Sequence, residues 1–114
     1  METHTRDVND LLHGTLDVLV LKALSWSPMH GYAIAKWIEN TTRGDLAVVD
    51  AALYKALHRL EQAGSVASEW GLSENNRRAK YYSLTTRGRQ ALRAEAATWR
   101  RYAAAVFRVL EATA

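Results

Sequence analysis

Tyr54, Lys55, His58 and Arg59 fall within six residues, at spacings that put them on neighbouring positions of one helix side. Further along, Arg77, Arg78 and Lys80 follow a polar connector that includes Asn76. A phenol, an imidazole and a set of cations can hydrogen-bond to phosphates and neutralise them. Taken singly, each is an ordinary solvated surface residue, and His58 fits either reading. Other chemistries lack their residues. There is no cysteine for a thiolate site or a covalent nucleophile. His4, His13, His30 and His58 have no metal-ligand spacing. No glycine-rich phosphate loop, nucleophile elbow or carboxylate pair is visible, so no enzyme, cofactor or metal is expected.

Charge supports an anionic partner. Met1–Glu74 carries 6 basic and 10 acidic residues, whereas Asn75–Ala114 carries 9 basic and 2 acidic. Such a basic half suits nucleic acid, a membrane surface, or simply a solvated face. No membrane anchor is expected. The longest apolar run, Leu16–Leu24, is interrupted by Asp17 and Lys22 and is too short to span a bilayer. The N-terminus has no signal-peptide pattern, and a cytoplasmic location is expected.

At 114 residues, the chain holds one core. Periodicity predicts a first helix over 9–24, apolar at Leu12, Leu16, Leu19 and Ala23. A second helix is predicted over 31–42, with Tyr32, Ala35 and Ile38 on one face and His30 capping or orienting it. A third, over 50–63, has Asp50 as N-cap, Gly64 as stop and Leu53, Leu57 and Leu60 pointing inward. A hairpin over 66–72 and 80–84 follows, and then a last helix from Thr85 or Thr86 towards Glu111. In that helix Leu92, Ala96, Trp99, Ala103, Val106 and Leu110 form a heptad-like seam. Trp26, Trp37 and Trp70 are expected to be core or half-buried.

Three helices, a hairpin with a basic tip and a long final helix give a mainly α (α+β) fold, a winged helix-turn-helix. Residues 1–85 are expected to form the DNA-binding part and 86–114 the dimerisation helix, as one structural unit. A helix of that kind fits the major groove, braced by the helix before it.

The stretches LLHGTLDVLVLKAL, PMHGYAIAKWIE, LYKALHRLEQAG and EWGLSENNRRAKYYSLT, with Thr85-x-x-Gly88, occur in one register. Together they resemble the PadR-like transcriptional regulators, in the form with a single short C-terminal helix. The resemblance covers about Leu11 to Leu92. It implies that Tyr54 approaches the DNA backbone and that Arg77, Arg78 and Lys80 form the basic wing. It implies a homodimer through the first and last helices, with Leu12 and Leu16 joining the seam. It also implies that a flat aromatic effector could sit at Trp99. The family's recognition helix opens with glycine-serine and then leucine-tyrosine-proline. Here Ala51-Ala52 and Lys55 stand at the glycine-serine and proline positions, which removes a serine hydroxyl and adds a cation.

The expected function is therefore a sequence-specific DNA-binding regulator, a repressor acting as a homodimer. The expected interface comprises Ala52, Tyr54, Lys55, His58, Arg59, Asn76, Arg77, Arg78 and Lys80. The alternative is a winged-helix protein-interaction module without DNA binding, motivated by the near-neutral third helix.

Overall fold

Leucine, valine and alanine surround most of the first helix, so it has to be covered on several sides. The computed structural model describes residues 15–113. Helix α1 (Leu16–Leu24) buries Leu16, Val20, Leu21, Ala23 and Leu24. It is covered by α2 (Gly31–Thr41), α3 (Asp50–Gln62) and α4 (Thr86–Leu110). The part of the first helix predicted before residue 15, with Leu12, lies outside the described residues. Ile34 and Ile38 of α2 complete the core with Leu53, Ala56, Leu57 and Leu60 of α3. His30 caps α2 as expected, its Nδ1 accepting the Ala33 N–H at 3.1 Å.

A two-residue strand, β1 (Met29–His30), precedes α2. It pairs antiparallel with β3 (Arg78–Leu84), matching Met29 with Tyr82 and His30 with Tyr81. So short a bridge has no period to read, and the sequence did not reveal it. On its other side β3 pairs with β2 (Val66–Leu72), from Val66–Leu84 to Leu72–Arg78. The second wing strand starts two residues earlier than periodicity predicts. Arg78 therefore stands on a paired strand rather than in the loop. Asn76 takes a left-handed turn (φ 59°), and its N–H reaches Ser73 O at 2.9 Å.

Helix α3 is capped by Val49 rather than Asp50, with no side-chain cap bond. Asp50 sits in the first turn, where its charge still favours the positive end of the helix dipole. Gly64 ends α3 in the left-handed region (φ 77°), and Ser65 N–H bonds back to Leu60 O at 2.9 Å.

Three aromatics depart from expectation. Tyr32 lies beside the buried face of α2 and is exposed, with Lys36 Nζ 5.9 Å from its ring. Trp26 follows the end of α1 and is also exposed, with Lys22 Nζ 5.1 Å away. Trp70 lies where the hairpin has run past the body, so no core remains to cover it. Trp37 is half-buried as expected.

The N-terminus of α4 is latched to the end of α3. Thr85 Oγ1 accepts the Gly88 N–H at 3.0 Å and donates to Gly64 O at 2.6 Å. Thr85 N–H donates to Ser65 O, and Arg87 donates to Ala63 O. Beyond its first turns α4 leaves the body, giving extents of 57 × 30 × 26 Å. Among the described residues no helix is long and apolar enough to cross a membrane.

Candidate nucleic-acid interface

Leucines facing inward on α3 leave Ala51, Tyr54, Lys55, His58 and Arg59 on the outer side, where they line a shallow open concavity. All five are exposed, so the helix expected to enter a groove is not hidden beneath its own chain. Ala52 is half-buried and packs against the core, leaving little of it to reach a base.

Tyr54 is held against the start of α2. A Cβ on Gly31 would stand 2.7 Å from the Tyr54 hydroxyl oxygen, so only glycine lets the ring lie there. Arg59 is turned towards α1, donating from Nη2 to Asp17 Oδ1 at 2.7 Å. Asp17 also lies near Glu95 of α4, whose carboxyl is raised above the usual range by burial first and by Asp17 second.

The other flank of α3 meets the wing through Glu61. Its Oε2 accepts the Ser68 hydroxyl at 2.5 Å, and its Oε1 lies 3.9 Å from Lys80 Nζ. Burial first, then the Glu61 charge, then Tyr54, raise the Tyr82 phenol above its ordinary range. Ser68, Trp70, Lys80 and Tyr82 share one hairpin face by register; Tyr82 is buried, Ser68 and Lys80 meet Glu61 at the end of α3, and Trp70 is exposed. Asn76 and Arg77 lie exposed in the connector, and Arg78 lies exposed at the start of β3.

Two positions in this arrangement escaped the sequence reading. Glu61 is one of the acids that make the third helix near-neutral, and its place in the sequence does not mark it as a wing contact. Trp70 reads as packing in the sequence, whereas the antiparallel register places it opposite Lys80 on the wing.

The expected dimer seam divides. Leu16 is 3% exposed and belongs to this chain's own core. Leu92 packs against that core, and Ala96 and Ala103 are half-exposed. Trp99, Val106 and Leu110 are open, with Tyr102, Phe107 and Val109 beside them. Trp99 and Tyr102 meet edge to face at 5.9 Å between centroids. Among the described residues no cluster of histidine and acidic groups could hold a metal.

The profile of the Transcriptional regulator PadR-like family matches residues 20–94. The chain belongs to that family. The fold of this PadR-like chain is also that of solved relatives. A PadR family transcriptional regulator from Eggerthella lenta is 34% identical, with TM-score 0.76, over 91% of this chain and 88% of that one. A transcriptional regulator from Clostridium thermocellum is 27% identical, with TM-score 0.78, over 87% and 96%. The Escherichia coli transcriptional regulator YqjI is 31% identical over 80 residues, 70% of this chain. The PadR-like chain spans only 37% of the length of that relative.

Proposed function

We propose that this PadR-like chain is a sequence-specific DNA-binding repressor that acts in the cytoplasm as a homodimer. The observation that carries the reading is the exposed outer side of α3, with Tyr54, Lys55, His58 and Arg59, together with the exposed Arg77 and Arg78 at the hairpin tip. Lys55 and His58 stand at the outer pole of α3, where base edges of a major groove come within reach. In this reading Tyr54, Asn76, Arg77 and Arg78 contact the phosphate backbone. Residues 86–114 join two copies, each presenting its residues 1–85 to one half-site.

Replacing Arg77 and Arg78 together by alanine is the test. Affinity for all duplex sequences is expected to fall about tenfold at low salt. The slope of log K against log salt should shrink by about 1.8, two phosphates' worth. Unchanged affinity of the double variant would sink the wing's role.

Glu61 gives a prediction of opposite sign. Glu61→Gln removes the carboxylate beside Lys80 and frees that ammonium for phosphate. Binding to mixed-sequence duplex should tighten by about threefold, and the salt slope should steepen by about 0.9. Fluorescence anisotropy titrations at several salt concentrations read both. Weaker binding would mean that Glu61 serves to aim Lys80.

Trp99 and Tyr102 support a flat aromatic effector between the last helices. Quenching of tryptophan fluorescence by such compounds, lost in Trp99→Ala, checks it. One feature favours the protein-interaction reading: Arg59 and Lys80 are paired within the chain. Complete absence of duplex binding in a low-salt gel shift would decide for it.

A further inference from the structure

Trp70 is 59% exposed and Leu72 66% exposed, on the same face of the hairpin. The Arg78 guanidinium carbon stands 4.5 Å from the Trp70 ring centroid. No acidic group pairs with Arg78 among the described residues. The opposite hairpin face is braced: the Tyr81 ring closes on Gly71, and its hydroxyl donates to Leu72 O at 2.9 Å. The hairpin is thus stiffened behind and left open at Trp70 and Leu72 in front, on the face where Ser68 and Lys80 meet Glu61 of α3.

We propose that Trp70 is a positioning residue of the nucleic-acid interface. Its indole is a shelf on which Arg78 is held, so that the guanidinium's free N–H edge meets one phosphate of duplex DNA. The open edge of the ring and Leu72 then lie against the sugars of the same strand. An arginine stacked on an aromatic face keeps its in-plane donors available, and holding it flat lowers the ordering cost of the contact. A lone exposed arginine in a polar loop has no such support. This inference rests on the DNA-binding reading above.

The experiment compares the full chain with Trp70→Ala, Trp70→Leu, Trp70→Phe, Arg78→Ala and the Trp70→Ala/Arg78→Ala pair. The probe is a mixed-sequence duplex, titrated by anisotropy from roughly 50 to 200 mM salt. Circular dichroism melts confirm that each variant is folded. Trp70→Ala and Trp70→Leu should each weaken binding about fourfold, and Trp70→Phe should recover most of that loss. The two ring-removing variants should also flatten the salt slope by about 0.9, as Arg78→Ala does, with no further flattening in the pair. Leucine keeps an apolar side chain without a ring face, so its failure to rescue separates the shelf from simple packing.

Two results overturn the proposal alone: wild-type binding with Trp70 variants of unchanged affinity and slope, or slope changes that add in the pair. A wild-type chain that binds no duplex at low salt overturns it together with the DNA-binding reading.

Discussion

A chain carrying Trp99→Glu and Val106→Glu is expected to run as a monomer and to lose about a hundredfold in affinity for a duplex with two half-sites. The argument begins with α4. Its outer half extends beyond the body, and Trp99, Tyr102, Val106, Phe107 and Leu110 stand open along it. Seven-residue spacing puts Trp99 and Val106 on one line, at the centre of the stripe. A second copy is the simplest cover, because a two-fold axis brings the same stripe against itself. Two carboxylates on each copy would face each other there without partners, and burying them is far costlier than leaving them in water. Once the copies part, the second half-site no longer benefits from the first one's tether. Binding to a single half-site should change little, since α3 and the wing are untouched. Light scattering reads the mass, and titration against one- and two-site duplexes reads the affinity. A double variant that stays dimeric would remove α4 from the interface.

Gly88→Ala should cost about 3 kcal/mol or more, lowering the melting midpoint by roughly 12 °C or more. The added Cβ would stand 2.0 Å from the backbone oxygen of Ser65, a contact no rotamer relieves. Ser65 O also accepts the Thr85 N–H, and Ser65 itself is buried, so neither side can give way cheaply. The alternative is for α4 to lift from the end of α3, breaking the bond from Thr85 Oγ1 to Gly64 O. That latch fixes the angle between the helix proposed to read DNA and the helix proposed to join the copies. Whatever protein remains folded should therefore also bind a two-site duplex poorly. Thermal melts followed by circular dichroism give the first effect. A midpoint within about 3 °C of the wild type would show that the contact relaxes freely.

The order of helices and hairpin, the inward leucines of α3 and the stop at Gly64 are all legible in the residue order. Each of these follows from local rules: 3.6-residue periodicity, capping chemistry and the left-handed turn. The residue order also determines which cations stand on the wing, because a loop rich in serine, asparagine and arginine cannot be buried. The strand β1 was not legible, since two residues pair only because β3 happens to lie beside them. Trp26, Tyr32 and Trp70 stand exposed against expectation for a related reason. Apolar character says that burial would be favourable, but only tertiary structure decides whether a neighbour is there to cover the ring. The charges show the same division most clearly. Arg59 and Lys80 look like free cations in the sequence, yet Asp17 stands 42 residues from Arg59 and Glu61 stands on another element from Lys80. Ion pairing depends on distances of a few ångströms between segments, and chain order carries no record of such distances until the core has closed.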